Sequence, residues 1–319
     1  MDQSNQQIQK SNSARWFWGI FISLIFIGMI FIGISLLFFA KIISTSDRYY
    51  QESEGGSGKG KVAMVNLDYT IISSESIVRQ FKKYGEDKSI KAIILRVNTP
   101  GGGVAASQEM YEAIRRVRDG GKPVIVSISS LGASGGYYAA CGGSIIVADP
   151  GSLVGSIGVI INLMNLQGLA EKIGVKETII KSGELKDAGN PLRELNEKDR
   201  EYFQDIVNDT YDQFLDVVSR SRKMDKEKLK EYANGRVFTG RQAKEIGLID
   251  SLGTLENAIK IAANMSGIEG EPTIIKEKER YTLIERILDT FSNNELNSIK
   301  EEIKNEFLEQ PILQYKFVH

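Results

Sequence analysis

Four short apolar segments, each rich in β-branched residues, constrain the fold of this 319-residue chain more than any other feature. They lie at 62–68, 92–98, 123–129 and 144–149. Such runs are typical of strands that are buried on both faces of a parallel sheet. A further segment, 175–182, is also predicted as a strand, and the stretch 105–119 between two of the runs is a good helix former. Strands that alternate with helices predict right-handed βαβ units and therefore an α/β fold.

The second constraint is a run without a single charge that extends from Trp16 to Ala40. About 20 apolar residues suffice to cross a bilayer as a helix, so residues 16–40 are predicted to be an uncleaved transmembrane helix. Residues 1–15 then form a short N-terminal tail, and the polar sequence within 41–60 is typical of a flexible linker. Equal numbers of basic residues flank the run, so the positive-inside rule does not decide its orientation.

The remaining sequence divides into a main domain and a C-terminal segment. The strand and helix patterns extend over 61–270, whereas residues 271–319 are charged and carry a helical pattern with no strand signal. A long amphipathic helix is predicted around Phe203 to Val218, and 239–254 holds a helix, a glycine stop and the start of another helix.

Composition excludes several classes of function. Lys and Arg number 40 against 41 Asp and Glu, so no basic excess points to nucleic acid. Cys141 is the only cysteine and His319 the only histidine, which rules out a disulfide framework and a thiolate metal cluster and leaves little for a transition-metal site. We therefore expect no metal and no cofactor.

Candidate catalytic residues lie in loops after the predicted strands, where open α/β sheets place their sites. Residues 132–136, GASGG, fit the G-x-S-x-G pattern of a nucleophile elbow around Ser134. The sequence NTPGGG at 98–103 places free backbone N–H groups before a helix, although an ordinary tight turn has the same pattern. The stretch 151–159, GSLVGSIGV, adds Ser156, which could hold a neutral amine or be a buried turn serine.

A serine nucleophile needs a general base. His319 ends an apolar tail, and nothing in the pattern brings it back to Ser134. The alternative is a lysine whose amine is kept neutral by burial. The stretch 181–191, KSGELKDAGNP, offers Lys181 and Lys186, and the pattern alone does not rank them.

These five stretches, RVNTPGGG, SSLGASGGYYAACG, GSLVGSIGV, KSGELKDAGNP and GRVFTGRQAKEIGLIDSLG, resemble in order and spacing the signal peptide peptidase A family. The similarity is to the single-core, Bacillus-type form, a Ser-Lys peptidase of the Clp protease/crotonase superfamily, and it covers roughly Lys61 to Ile268. The resemblance implies a spiral of βαβ units as the fold.

The resemblance also implies a role for individual residues. Ser134 corresponds to the nucleophile, Lys186 to the general base and Ser156 to the serine that positions the lysine amine. Gly101 and Gly135 correspond to the oxyanion-hole donors.

The activity that the resemblance implies is a membrane-anchored serine endopeptidase. It would degrade remnant signal peptides and unfolded apolar segments, with small or apolar residues before the cleaved bond, bound as an added β-strand. The domain would be extracytoplasmic and the N-terminus cytoplasmic, in a single-pass protein of the cell membrane. The chain would form a homo-oligomer in which serine and lysine can meet across a subunit boundary. The alternatives are a crotonase-like acyl-CoA enzyme, which would give no reason for Ser134 and Lys186 to occur together, and a non-catalytic membrane scaffold.

Overall fold

The computed structural model describes residues 13–45, 49–56, 58–279 and 313–316. The chain divides into two compact units, residues 1–50 with 279–283 and residues 51–278 with 284–319. The helices are α1 Ser13–Thr45, α2 Glu75–Glu86, α3 Val104–Asp119, α4 Gly135–Ala140, α5 Gln167–Lys172, the 3-10 turn η1 Glu184–Asp187, α6 Glu197–Arg222, α7 Lys226–Lys230, α8 Gly240–Glu245 and α9 Leu255–Met265. The strands are β1 Tyr49–Glu54, β2 Lys61–Leu67, β3 Ile90–Thr99, β4 Gly101–Gly103, β5 Val124–Ala133, β6 Ile145–Ala148, β7 Leu153–Gly155, β8 Ile160–Ile161, β9 Val237–Thr239, β10 Ser251–Leu252, β11 Thr273–Glu279 and β12 Leu313–Lys316.

A largely parallel sheet forms the centre of the larger unit, in the order β11-β2-β3-β5-β6-β10. Each of these neighbours pairs in parallel. The far end of β5 pairs in parallel with β7, and β7 pairs antiparallel with β9. The α/β class with a parallel sheet is therefore confirmed, and the four central apolar runs are its strands β2, β3, β5 and β6.

These strands are buried on both faces, which explains their unbroken apolar sequence. In β2, Ala63 and Val65 face the core cluster that includes side chains of α2, α3, α4 and α6, whereas Val62 and Met64 face the cluster built with α9. Successive side chains of a strand point to opposite faces. Because helices cover both faces of these strands, the strands lack the alternation of apolar and polar residues that is typical of half-exposed strands.

A second, three-stranded sheet lies at the carboxyl ends of these strands, in the order β4-β12-β8. Its middle strand comes from the C-terminal segment and pairs antiparallel with both neighbours. The expectation of a helical segment without strands over 271–319 is therefore wrong for β11 and β12. Both strands are recruited by partners that are distant in sequence, β2 for β11 and β4 for β12, and local propensity does not report such pairing.

Two other expectations are corrected. Residues 175–182 form no strand, and Ile180 in this stretch is 97% exposed, because no neighbouring strand is available to pair with it in the described chain. Part of the predicted linker 41–60 is strand β1, whose charges are paired with β11: Glu54 lies 2.6 Å from Lys276, and Glu52 lies 2.6 Å from Lys278.

The smaller unit contains α1, a 33-residue helix that includes the predicted membrane span. Its side chains are described for residues 18–34 only, so residues 16, 17 and 35–40 of the predicted span lie outside that description. Within the described part of the chain, no helix combines the length and the apolarity that a membrane crossing requires.

Candidate active site

Ser134 lies at a sharp junction between a strand and a helix. It follows the last residue of β5 and precedes α4, and its backbone has φ 52° and ψ −115°. A residue other than glycine is strained by about 1–3 kcal/mol at such a positive φ, and strain of this kind is typical of functional sites. The hydroxyl oxygen of Ser134 is buried and has no hydrogen-bond partner among the described residues. The strand-turn-helix geometry that the G-x-S-x-G pattern predicts around Ser134 is therefore present, and no described residue engages its hydroxyl oxygen.

The glycine turn next to it ends β3. Gly101 and Gly102 have φ values of 94° and 153°, which glycine adopts without a steric penalty. The turn is fixed from two sides, since Ile71 N–H donates to Gly101 O at 2.8 Å and Gly101 N–H donates to Thr99 Oγ1 at 3.1 Å. In this state the N–H of Gly101 therefore already has an acceptor.

The structure brings the two predicted oxyanion-hole glycines together. A Cβ placed on Gly101 would lie 2.6 Å from the backbone nitrogen of Gly135. A Cβ on Gly135 would overlap the Ser107 hydroxyl and lie 3.2 Å from the nitrogen of Gly102. Because Gly135 is the first residue of α4, its N–H has no acceptor within the helix. Backbone donors thus converge beside Ser134, with no room for side chains at 101 and 135.

The C-terminal strand β12 lies directly across this arrangement. Its Lys316, Tyr315 and Gln314 are in register with Gly101, Gly102 and Gly103. The carbonyl oxygen of Tyr315 would overlap a Cβ on Gly101 and lies 3.2 Å from the position of a Cβ on Gly135. A peptide carbonyl of the chain itself is therefore held at the two glycines.

The side chain of Tyr315 is fully buried in an aromatic pocket. Its ring stacks on Tyr138 with centroids 5.1 Å apart and lies 4.6 Å from Phe214. Its hydroxyl donates to the Thr210 carbonyl at 3.1 Å, and burial raises the pKa of the phenol. Residues of α4 and α6 thus form a pocket that holds a whole tyrosine side chain.

Ser156 lies next to Ser134. Ala133 and Gly155 are register partners of β5 and β7, and each serine directly follows one of them. The chain is held there because Ser134 N–H donates to Gly155 O at 2.7 Å. Ser156 has φ 50° and lines a cavity of about 520 Å³ that is also bordered by Lys230 and by Lys316 of β12. There is room for an amine beside this serine.

Lys186 is the predicted residue that the single chain does not bring to the others. It lies on η1, and its exposed side chain makes no hydrogen bond or ion pair with any described residue. Lys181, the alternative base, is engaged: its Nζ donates to Asp187 Oδ1 at 2.6 Å and to the Glu184 carbonyl at 2.8 Å. The Lys181 amine is therefore held by a carboxylate of its own chain, whereas no described carboxylate holds the Lys186 amine.

The sequence leaves open whether residues 271–319 cap an assembly, occupy the cleft as a self-peptide or bind the membrane surface, and it does not predict the aromatic pocket. The sequence signal for β12 was the apolar character of the final residues, ILQYKFVH, which by itself does not specify a location. His319, the histidine weighed above, lies outside the described residues.

Comparisons with known proteins identify the family of the chain. The family model described as peptidase family S49 matches residues 116–269. A provisionally named protease of Synechocystis sp. is 40% identical over 214 residues, which are 67% of this chain and 77% of that protein. A provisionally named signal peptide peptidase of Enterococcus faecium is 40% identical over 185 residues, 58% of this chain and 54% of that protein. The chloroplastic serine protease SPPA of Arabidopsis thaliana is 38% identical over 215 residues, 67% of this chain and 32% of that protein. The chain therefore belongs to peptidase family S49.

Proposed function

We propose that this protein is a serine endopeptidase that cleaves extended peptides with Ser134 as nucleophile and Lys186 as general base. The observation that carries this proposal is β12, which lies antiparallel between β4 and β8 with the Tyr315 carbonyl at Gly101 and Gly135. A substrate strand in the same register would place its own carbonyl beside the unpartnered Ser134 hydroxyl. Addition of a strand to an open edge is a common way to bind peptides.

The chemistry is acyl transfer. Neutral Lys186 Nζ takes the proton of Ser134 Oγ as this oxygen attacks the peptide carbonyl, and the oxyanion that forms is held by backbone N–H groups of Gly135 and Gly101. Because Gly101 N–H donates to Thr99 Oγ1 in this state, its engagement in catalysis requires it to exchange or share that acceptor. The lysine then protonates the leaving amine, and a water that it activates hydrolyses the Ser134 ester.

We further propose that Lys186 reaches Ser134 from a neighbouring copy of the chain. Two observations support this proposal: Lys186 is exposed in the single chain, and it does not line the cavity beside Ser156 where the amine of the general base would lie. The segment that leads to η1 also exposes large apolar side chains, with Ile180 97% and Ile173 68% exposed. Exposed apolar surface of this kind is typical of protein interfaces. A homo-oligomer would cover it and complete the dyad.

The substrates that fit are unfolded segments, including cleaved signal peptides, with a large apolar or aromatic residue before the cleaved bond. The pocket around Tyr315 supports an aromatic residue there, because Tyr138 and Phe214 line its walls and the Thr210 carbonyl accepts from the hydroxyl at its end. The expectation from sequence was a small or apolar residue at this position. The pocket around Tyr315 instead supports a large side chain before the cleaved bond.

Two further proposals concern the cellular location of the protein and the type of fold. The uncharged run at 16–40 supports a single membrane anchor. The proposed orientation, with the N-terminus cytoplasmic and the catalytic unit extracytoplasmic, rests on the family resemblance alone. The βαβ order of the parallel sheet, with the site at the carboxyl ends of its strands, supports a spiral of the Clp protease/crotonase type.

Peptide hydrolysis by the full chain in detergent tests the dyad. Ser134→Ala and Lys186→Ala should each abolish turnover of a peptide that carries tyrosine before the cleaved bond. A mixed oligomer of the two inactive variants should recover activity, at most about a quarter of the normal value if subunits mix at random around a closed ring. Activity that persists in Lys186→Ala would refute the dyad, and a mixture that stays inactive while forming mixed oligomers would refute its formation across subunits.

A further inference from the structure

The residue that follows Lys186 is the centre of a dense ionic network. Asp187 accepts from Arg193 Nε at 3.0 Å on Oδ2 and from Arg193 Nη2 at 3.1 Å on Oδ1. The same Nη2 donates to the Asp187 backbone carbonyl at 3.0 Å, and Lys181 donates to Oδ1 at 2.6 Å. The Asp187 side chain is only 10% exposed, and the hydrogen bonds from Arg193 and then Lys181 lower its pKa to about 2. The carboxylate is therefore ionised and held throughout the neutral range.

Arg193 ties this turn to the long helix α6. Its Nη1 donates to the carboxylate of Asp199, whose side chain is 1% exposed, and to the Glu194 carbonyl at 2.9 Å. Asp199 is itself fixed by a capping box, since its N–H donates to Asn196 Oδ1 at 3.0 Å and its Oδ2 accepts from Asn196 N–H at 3.2 Å. Helix α6 also carries Phe214 and Thr210 of the aromatic pocket. One guanidinium thus connects the lysine-bearing turn to the helix that forms the substrate pocket.

Lys186 differs from its charged neighbours. Lys181 is paired with Asp187, and Glu184 accepts from Lys198 at 2.8 Å, so each of these charges has a partner. The network leaves Lys186 as the one charged side chain of η1 without a partner in the described chain, and it orders the backbone on both sides of it. An amine that has to enter a neighbouring site needs a defined direction and no competing carboxylate.

From this arrangement we infer that Arg193 is a positioning residue for catalysis: it binds Asp187 and fixes η1 to α6, so that Lys186 is presented as an unpaired amine. The inference rests on the proposed role of Lys186 as general base. Arg193 itself touches neither the substrate nor Ser134.

The inference predicts two separable effects of Arg193→Met in the full-length enzyme. Loss of the clamp should lower kcat for the tyrosine peptide about 10- to 100-fold with KM changed less than about twofold, because the base is misplaced while the substrate groove is intact. Asp187 would then keep only Lys181 as a cationic partner, and its less neutralised charge next to Lys186 in the chain would favour a protonated amine, so the limb on which activity rises with pH should move to higher pH. A merely structural role would not move this limb.

Three further variants make the test specific. Asp187→Asn weakens the link to Arg193 without leaving a carboxylate, so kcat should fall but the rising limb of the pH profile should stay in place. Arg193→Lys keeps one charged donor and should recover part of the lost kcat. Arg115→Met is the matched control, because Arg115 also bridges two carboxylates, Glu112 and Asp119, on the exposed face of α3, and both kcat and the limb should be unchanged.

The outcomes distinguish this inference from the proposed dyad. Thermal unfolding and oligomer size first establish that each variant is folded, and Arg193→Lys replaces Arg193→Met if the latter is not. Arg193→Met with normal kcat and an unmoved limb, while Lys186→Ala is inactive, would overturn the positioning role and leave the dyad standing. An active Lys186→Ala would overturn both.

Discussion

Tyr315→Ala provides the most direct test of how β12 is held in the groove. The tyrosine ring is fully buried between Tyr138 and Phe214, and its hydroxyl donates to the Thr210 carbonyl. Truncation of a buried large aromatic side chain to alanine costs about 3–5 kcal/mol. Each ~1.4 kcal/mol is a factor of ten in an equilibrium constant, so the open state of the strand should be populated about 10²- to 4 × 10³-fold more.

Amide hydrogen exchange measures this opening. The full chain should carry Ser134→Ala, so that the tail is not cleaved during the experiment, and exchange is followed on fragments that contain Gln314 and Lys316. We expect the protection of these amides to fall by about the same factor in Tyr315→Ala. Tyr315→Phe is the control, since it retains the ring and loses one hydrogen bond worth about 0.5–1.5 kcal/mol, a change of about tenfold or less.

Equal exchange in Tyr315→Ala and Tyr315→Phe would refute the reasoning, because it would mean that the ring contributes nothing to holding the strand. The pocket would then give no basis for expecting an aromatic residue before the cleaved bond.

Three other measurements test separate features. Gly135→Ala should lower kcat by about 10²- to 10³-fold because its Cβ would overlap the Ser107 hydroxyl and displace a donor, whereas Gly168→Ala, whose Cβ meets nothing within 4 Å, should leave activity unchanged in the same peptide assay. Burial raises the pKa of Cys141 to about 11, so its alkylation by iodoacetamide at pH 8 should be at least about 100-fold slower in the native protein than in the denatured one, and equal rates would contradict its burial. Burial opposes ionisation of Asp250, but hydrogen bonds from Arg222 and the Ile146 N–H hold the pKa of this carboxyl below its usual range. Its contribution to stability is therefore present above about pH 4 and lost as the pH falls further, so urea unfolding should show Asp250→Asn destabilised at pH 7 by about 1–3 kcal/mol and the difference should shrink below pH 4.

The parts of the fold that could be predicted from sequence are those whose signal is local and long. Strands β2, β3, β5 and β6 follow from unbroken β-branched runs, and α3 and α6 follow from helical periodicity over 16 and 26 residues. The strand predicted at 175–182 is absent: no described strand pairs with this stretch, and its Ile180 is exposed. An apolar sequence pattern indicates that side chains become buried, but it does not indicate whether the same chain or another molecule buries them.

The residues of the site also divide into those that the sequence predicts and those that depend on contacts between distant segments. The positions of Ser134, Gly101 and Gly135 follow from loops at the carboxyl ends of adjacent parallel strands, and sequence order alone brings those loops together. Ser156 follows from the pairing of β5 with β7. The aromatic pocket depends on Tyr315, which is separated from its neighbour Phe214 by about a hundred residues of sequence, and no local pattern encodes that contact.

The strand β12 also affects how the enzyme has to be assayed. A peptide that belongs to the chain it binds acts at a fixed effective concentration, so its occupancy of the groove does not change when the protein is diluted. Any peptide or inhibitor added to the full chain competes with this internal ligand, and its apparent affinity is weaker than its affinity for an empty groove. Preparations that have lost residues 313–316 should therefore rank the same compounds with stronger apparent affinities, and screening data from trimmed and intact enzyme are not interchangeable.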